Sequence, residues 1–147
     1  MPGKEYMQFI LEAITRRDNL VLIRFRAGEN AVLAPFGEMC VWQGTEGAAA
    51  VAADDLPEAR KAYAALRPSA EWGYSRILFD GIGLHSLAPQ VYALLEDYPV
   101  AAVSVSDIRL GVLVPSGCAD EVWLKLWSHY GPALSADRQI QVPGLGE

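Results

Sequence analysis

A glycine-containing segment near the middle of the chain has residue types that suit the binding of phosphate groups. The run RILFDGIGLHS holds the pattern Gly81-x-Gly83-x-x-Ser86 between a strand-like and a helix-like stretch, and the strand-like VAAVSVSD then ends at Asp107. This order is typical of a dinucleotide-binding turn, in which the acid binds a ribose hydroxyl.

Several features of the segment oppose nucleotide binding. Ser86 stands where a third glycine would let the helix pack closely on the strand, and Asp80 places a negative charge where a pyrophosphate would lie. The chain also offers a single unit of this kind, whereas a dinucleotide domain needs several parallel strands. We therefore favour a glycine turn before a helix. A small nucleotide-binding domain or enzyme using the loop Asp80–Ser86 is the alternative.

The two cysteines and two histidines do not indicate a thiol or metal site. A thiol enzyme needs cysteine and histidine in contact. Cys118 and His129 fall on one predicted helix, whose rise separates them by about 16 Å, and no spacing supports a pair of Cys40 and His85. Zinc-type ligand spacings are also missing from the sequence. The sequence therefore predicts no catalytic residue, no metal ligand and no cofactor.

Acidic pairs occur at three predicted helix ends, at Asp54-Asp55, Glu96-Asp97 and Asp120-Glu121. The first and third pairs suit a helix N-terminus, where negative charge complements the macrodipole. Glu96-Asp97 falls at a C-terminus, where the dipole disfavours it. Solvation accounts for this pair, and a facing cationic partner is the alternative.

Large aromatic residues are concentrated in the last predicted helix. Its apolar residues spread over a wider arc than one buried stripe requires. Core packing is the commoner fate of large aromatics, but exposed Trp and Tyr are typical of binding surfaces. Trp123, Trp127 and Tyr130 are therefore candidate partner-binding residues, and we expect Trp127 or Tyr130 to be partly exposed.

The composition fits a single domain with a large apolar core, since 52% of the 147 residues are apolar. The 18 acidic residues outnumber the 12 basic ones, for a net charge of −6, whereas nucleic-acid binders need a basic face. The N-terminus lacks the pattern of a secretory signal, and no uncharged apolar run reaches about 18 residues. We therefore expect a cytoplasmic protein with reduced cysteines that binds neither nucleic acid nor membrane.

The stretch Leu20–Trp42 predicts a meander of three short strands joined by two tight turns. Its first part alternates Val21, Ile23 and Phe25 with a second face that carries two arginines. Val32–Ala34 and Met39–Trp42 complete the meander. Helices must cover its apolar face, because such a sheet does not stand alone in water.

Helical periodicity, capping residues and β-type runs predict the other elements. The predicted helices are Lys4–Arg17, the alanine-rich Thr45–Ala53, one from Asp54 or Asp55 to Leu66, one from Ser86 to Glu96 or Asp97, and Cys118–Tyr130. Ala70–Ser75 is predicted to be a loop carrying Trp72. The predicted strands are Arg76–Phe79, an interior strand Val100–Val105, Leu110–Val114, and a short edge strand at Arg138–Val142.

The layout of Tyr6–Ala53 resembles that of small bacterial domains of unknown function and of immunity proteins that neutralise secreted toxins. The shared features are a leading amphipathic helix, a hydrophobic meander with a terminal tryptophan (VLIRF, AVLAP and MCVWQ, with Trp42), and an alanine-rich helix. The resemblance implies an immunity-type role and carries over no functional residue.

Taken together, the patterns predict a single α+β domain over residues 1–132 and a loosely structured tail over 133–147. We expect a mixed or mostly antiparallel sheet of about five or six strands, starting with the meander and covered mainly on one face by about four helices. The predicted shared core consists of Phe9, Ile23, Phe25, Val41, Leu94 and Val103. The predicted function is non-enzymatic: an acidic protein that binds another macromolecule, either a protein partner or a second copy, such as an immunity or accessory protein.

Overall fold

The computed structural model describes residues 9–26, 39–43, 46–62, 64 and 68–134. Within these ranges six strands form one sheet: β1 (Ile10–Arg26), β2 (Met39–Gln43), β3 (Glu46–Ala52), β4 (Ser69–Ile82), β5 (Ala102–Val105) and β6 (Arg109–Pro115). The α-helices of the same ranges are α1 (Leu56–Ala62), α2 (Ala88–Leu94) and α3 (Ser116–Tyr130). The predicted α+β class is confirmed. None of the described helices is long and apolar enough to cross a membrane.

The sheet has the strand order β2-β3-β1-β4-β6-β5, and every neighbouring pair is antiparallel. β4 and β5 are therefore parallel to each other with β6 between them, so β4-α2-β5 is a split βαβ unit. β3-α1-β4 forms a second such unit around β1. The edge strands β2 and β5 approach each other, which shows that the sheet curls.

The predicted helix Lys4–Arg17 is wrong over the part that the structure describes, because Ile10–Arg17 forms the first half of β1. Leu11 and Ile14 are both buried, although residues three apart normally face opposite sides of a strand. A bulge between Leu11 and Ala13 adds one residue to β1 and brings the two side chains to the same face. The bulge thus produces a helix-like spacing within a strand.

The predicted alanine-rich helix Thr45–Ala53 is also wrong, because Glu46–Ala52 is the interior strand β3. It pairs with β2 on one side and β1 on the other. Ala49 and Ala50 point to opposite faces, and both are buried. Small side chains on both faces suit a tightly curled sheet, and the pairing outweighs the helix preference of alanine, which is under about 1 kcal/mol per residue.

The other predicted elements differ in extent or position. Met39–Trp42 is confirmed as β2, Leu110–Val114 as β6 and Cys118–Tyr130 as α3. The predicted loop Ala70–Ser75 is part of the long β4, and the predicted interior strand Val100–Val105 is instead the edge strand β5. Val32–Ala34 and Arg138–Val142 lie outside the described residues.

Two compensating bulges interrupt the pairing of β1 with β4. β1 carries an extra residue at Asp18–Asn19 and β4 carries one at Gly73, and regular pairing resumes beyond them. Asn19 and Gly73 have positive φ values of 60° and 89°, a region that Asn and Gly adopt most readily. The extra residues keep the helix-covered face continuous along both strands.

The core divides into three clusters. The first, under α2 and α3, includes Leu11, Ile14, Ile77, Phe79, Val91, Leu110, Val112, Val122 and Leu126. The second, under α1, consists of Val21, Ile23, Phe25, Ala49, Val51, Leu56 and Ala59. The third lies on the opposite face and contains Leu20, Leu22, Ala50 and Leu113.

The predicted shared core is wrong because its members belong to different clusters. Ile23 and Phe25 are buried in the second cluster. Phe9, Leu94 and Val103 are only partly buried and pack against the first. Val41 lies outside the side chains that the structure describes.

A polar network fixes the bulge of β1 to β4 and α3. The Arg16 Nε and the hydroxyl of fully buried Ser75 both donate to Asp18 Oδ1, at 2.8 and 2.7 Å. Arg16 Nη1 also lies 2.8 Å from Asp120 Oδ1. Partial burial works to raise the pKa of Asp18, but the hydrogen bonds from Ser75 and Arg16 outweigh it and hold that pKa below its usual value.

We predict that Asp18→Asn destabilises the protein at neutral pH and that this effect fades in acid. A carboxylate whose pKa is lowered by folding stabilises the folded state above its unfolded pKa of about 3.9 and loses that contribution as pH falls through the folded pKa. Urea unfolding of parent and variant should therefore give a difference that is largest near neutral pH and narrows below about pH 4. Asp97→Asn, at an exposed carboxylate, is the control. A constant difference down to pH 3 would contradict this role of Asp18.

Candidate functional site

The loop after β4 is the best-defined candidate site. β4 ends at Ile82, and Gly83 then adopts the left-handed conformation with φ 74°. A short 3-10 turn over Leu84–Ser86 leads into α2, and the Ser86 N–H donates to the Gly83 carbonyl at 3.1 Å. The predicted glycine turn before a helix is therefore present, although the helix itself begins at Ala88.

Backbone hydrogen bonds hold this loop against the turn between β5 and β6. The N–H of Gly81 donates to the Ile108 carbonyl at 3.1 Å, and that of Leu84 donates to the Asp107 carbonyl at 2.8 Å. The turn is itself closed by a bond of 2.8 Å from the Ser106 N–H to the Arg109 carbonyl. Two segments that are distant in sequence thus form one rigid end of the sheet.

Four charged or titratable side chains gather at this end. Arg109 Nε donates to Asp80 Oδ1 at 2.9 Å, and His85 Nδ1 lies 4.0 Å from Asp107 Oδ1. The side chains of Arg109, His85 and Asp107 are each more than 60% exposed, so a ligand from solvent can reach them. We call Asp80, His85, Asp107 and Arg109 the charged loop site.

The charged loop site offers both signs of charge and no metal centre. Two carboxylates can accept hydrogen bonds from an ammonium group, while a guanidinium and an imidazole can donate to a carboxylate. Across the described part of the chain, no group of three or more His, Cys, Asp or Glu could hold a metal ion. The arrangement suits recognition of a small ligand that carries opposite charges.

Gly81 is the backbone feature on which this end of the sheet depends. A Cβ at Gly81 would clash with the backbone carbonyl oxygen of Ile10 on the paired strand. Gly81 therefore allows the close approach of β4 to β1. The dinucleotide interpretation also lacks its parallel neighbouring strand, because antiparallel β6 lies between β4 and β5.

The aromatic residues of α3 lie mostly in the core. Trp123 and Tyr130 are each 3% exposed, whereas Trp127 is half-buried. The Trp123 and Trp127 rings stack with centroids 5.8 Å apart, and the Tyr130 ring meets Phe79 edge-on at 5.6 Å. Trp127 is thus partly exposed, as expected for one of the two residues. Partner contact by Trp123, Trp127 or Tyr130 stays a prediction.

Burial also governs the chemistry of Tyr130. Its hydroxyl hydrogen-bonds Gln90 on α2 at 3.3 Å, and burial raises its pKa to about 12. A phenol of this kind is neutral at physiological pH and cannot serve as a base. It ties α3 to α2.

Of the two cysteines, the structure describes the side chain of Cys118. The half-buried Cys118 donates its thiol hydrogen to the Pro115 carbonyl at 3.4 Å, and His129 lies in the last turn of the same helix. The side chain of Cys40 lies outside the described part of the chain.

The candidate loop Asp80–Ser86 from the sequence already contains Asp80 and His85, and Asp107 was its ribose-binding acid, but the sequence analysis did not connect Arg109 with them. The missing information was the pairing of β4 with β6, which places Arg109 opposite Asp80. A usable signal was the short run Ser106–Arg109 between two strand-like segments, which is typical of a hairpin turn.

Comparison with known proteins gives structural but not sequence likeness. No protein-family model and no curated protein matches the chain. Among solved structures, Escherichia coli aspartokinase III is similar in its complexes with aspartate and ADP (R-state) and with lysine and aspartate (T-state). Both are 19% identical, with TM-scores of 0.64 and 0.62, and cover 82% of this chain and 33% of that one. The chain thus spans about a third of that protein.

Two shorter proteins match over almost their whole length. The regulatory subunit of aspartate kinase from Thermus flavus is 14% identical with a TM-score of 0.63, and the match covers 82% of this chain and 99% of that chain. A putative C-terminal regulatory domain of aspartate kinase from Porphyromonas gingivalis W83 is 14% identical with a TM-score of 0.62. That match covers 79% of this chain and 94% of that chain. The fold of this chain is therefore similar to that of these two regulatory chains and to about a third of aspartokinase III.

These findings correct the resemblance to immunity proteins and domains of unknown function. Two of the three features behind it were the leading helix and the alanine-rich helix, and both segments form strands where the structure describes them. The similar solved structures belong instead to aspartate kinases. A protein-binding immunity role is thus set aside.

We predict that Gly81→Ala destabilises the protein by about 1–3 kcal/mol, as expected for overpacking, because the added methyl group meets the Ile10 backbone. Gly117→Ala is the matched control, since nothing lies within 4 Å of its Cβ and the change in α3 should stabilise the fold by up to about 1 kcal/mol. Urea unfolding measures both. Equal and small changes in the free energy of unfolding for both variants would contradict the prediction, because they would show that β1 and β4 can move apart near Gly81 at no cost in stability.

Proposed function

We propose that the chain is a regulatory domain that binds a small zwitterionic effector of the amino-acid class at the charged loop site. The observation that carries the proposal is the pairing of carboxylates with basic groups at one rigid end of the sheet. An α-ammonium group would sit near Asp107 or Asp80, and a carboxylate near Arg109 or His85. Such charge-assisted hydrogen bonds are about twice as strong as neutral ones.

The shape of the site supports a small ligand. The loop is joined to the Ser106–Arg109 turn by backbone hydrogen bonds, so its geometry is largely set before binding and little ordering entropy is lost. Gly83 carries no side chain and leaves the loop backbone accessible. Binding of a pyrophosphate group here is disfavoured, because the nearby carboxylates of Asp80 and Asp107 would repel its negative charge.

The fold likeness supports a regulatory rather than a catalytic role. The similar aspartate kinase domains are described as regulatory, and the aspartokinase III structures contain aspartate and lysine. The coverage of those regulatory chains is nearly complete, while that of the full kinase is about a third. The proposed role is therefore effector binding, without kinase activity.

We predict that at least one amino acid raises the melting temperature of the protein. A ligand at a hundred times its Kd adds about 2.7 kcal/mol to stability. Thermal shift with the proteinogenic amino acids identifies the effector, and calorimetry then measures its Kd. Asp107→Asn and Arg109→Gln should each weaken binding about tenfold.

Arg24→Gln is the matched control, since Arg24 pairs with Glu71 at 3.0 Å far from the loop. It should leave the effector Kd unchanged. Absence of a shift with any amino acid would overturn the proposal. A clear shift with NAD, NADP or ATP alone would favour the nucleotide-binding alternative.

An exposed apolar patch beside the charged loop site supports self-association. Ile10, Ile82 and Ile108 are 54%, 52% and 63% exposed. Ile10 lies opposite Ile82 in the sheet, and Ile108 is bonded through its carbonyl to Gly81. We call these three residues the isoleucine patch. Two copies would bury this apolar area against each other across a two-fold axis.

We predict that the protein forms a dimer through the isoleucine patch and that Ile108→Ser shifts it to monomer. Analytical ultracentrifugation gives the oligomeric state, and circular dichroism verifies folding. Leu124→Ser is the control, because Leu124 is 56% exposed on α3 and away from the patch. A dimer broken by Trp127→Ala but not by Ile108→Ser would move the interface to α3. A monomer at all concentrations would overturn self-association.

A further inference from the structure

A concave site lies between the end of α2 and the sheet edge. It has a volume of about 340 Å³ and is lined by Val91, Tyr92, Leu95, Glu96, Tyr98, Pro99, Val100, Val103 and Val112. This volume is at the lower end of the range for small-molecule sites. We call it the α2 groove.

The floor and walls of the α2 groove are preformed. Val91, Leu95 and Val112 are buried and form its floor. The turn that makes its rim is closed by backbone hydrogen bonds from Tyr98 to Leu95 at 3.0 Å and from Val100 to Tyr98 at 2.9 Å. An apolar ligand would therefore enter without ordering the chain first.

The polar part of the α2 groove attracts positive charge. Glu96 is its one charged lining residue, exposed at the rim. Within the described part of the chain, Glu96 takes part in no ion pair. Tyr92 and Tyr98 contribute aromatic rings; the Lys125 ammonium lies 5.6 Å from the centre of the Tyr98 ring, which leaves the Tyr92 ring for a ligand cation. The rim thus combines a carboxylate with rings that hold cations.

The position of Glu96 has no local structural explanation. It follows α2, where the last carbonyl groups disfavour a carboxylate. Five aliphatic side chains line the same groove (Val91, Leu95, Val100, Val103 and Val112). Apolar walls with a carboxylate at the mouth match a ligand with an apolar body and a cationic head.

We propose that the α2 groove binds a small primary ammonium ion with an aromatic or branched aliphatic body. The body would pack on the accessible side chains of Tyr92, Val100 and Val103, and the ammonium would donate to Glu96. This site differs from the charged loop site, which carries bases as well as acids. Arg109 of the loop site and Val112 of the groove point to opposite faces of β6.

The test is an NMR titration of the full chain with three probes of similar shape. These are 2-phenylethylammonium, neutral 2-phenylethanol and anionic 3-phenylpropionate. The proposal expects amide shifts centred on Val91, Leu95 and Val103, with the ammonium probe bound about fivefold more tightly than the alcohol, the size of one exposed ion pair. The anion should bind most weakly.

Glu96→Gln and Asp97→Asn form a matched pair of variants, since both remove one exposed charge and only Glu96 lines the groove. Glu96→Gln should weaken the ammonium probe about fivefold and abolish its preference over the alcohol, while Asp97→Asn should change Kd by less than about twofold. Equal weakening in both variants would overturn the proposal. So would equal binding of ammonium and alcohol, or shifts centred on Asp80–Ser86.

Discussion

The fold depends on the register of the two long paired strands β1 and β4, which must place side chains on the same faces before and after their central bulges. β1 has 17 residues and β4 has 14, and a one-residue slip would turn every later side chain to the opposite face. The extra residues at Asp18–Asn19 and Gly73 set the phase so that Val21, Ile23 and Phe25 lie under α1. Earlier in β1, Ile14 lies under α2 and α3. One curled sheet can therefore support separate apolar clusters beneath its helices.

The polar network at the bulge ties β1 to β4 and to α3 through side chains. Asp18 receives hydrogen bonds from Arg16 and Ser75, and Arg16 continues to Asp120 on α3. Residues that are far apart in sequence thus meet at the bulge of β1. Their contacts hold α3 in place over the first cluster.

The sequence predicted the elements whose periodicity was undisturbed. α3, β6 and β2 were found with nearly correct bounds, and so was the α+β class. Prediction failed where tertiary pairing outweighed local preference. The bulge beside Glu12 gave Leu11 and Ile14 a helical spacing, and the alanines of β3 are good helix formers held in a strand. The long β4 was underestimated because Gly73 interrupts its alternation.

The candidate site was half visible in the sequence. The loop Asp80–Ser86 stood out because two glycines precede a helix. The local sequence does not show which strand pairs with β4 next to this loop. Only the β4–β6 pairing brings Arg109 to Asp80 and Asp107 to His85. The aromatics of α3 posed the opposite problem. Their number suggested a surface, but Trp123 and Tyr130 are buried, and the Tyr130 ring packs against Phe79 because the helix lies on the sheet.

The position of α2 between the two proposed sites constrains how the domain could transmit a signal. The charged loop site lies before its first residue and the α2 groove at its last turn, while β6 supplies Arg109 to one site and Val112 to the other. A ligand shifts an equilibrium only by its difference in affinity for two states. Since Val91 on α2 is fully buried in the first cluster, a close-packed interior would resist movement of this helix alone. Any coupling between the sites therefore requires α2 and β6 to shift together, and it would be reciprocal, with each ligand changing the affinity for the other by the same factor.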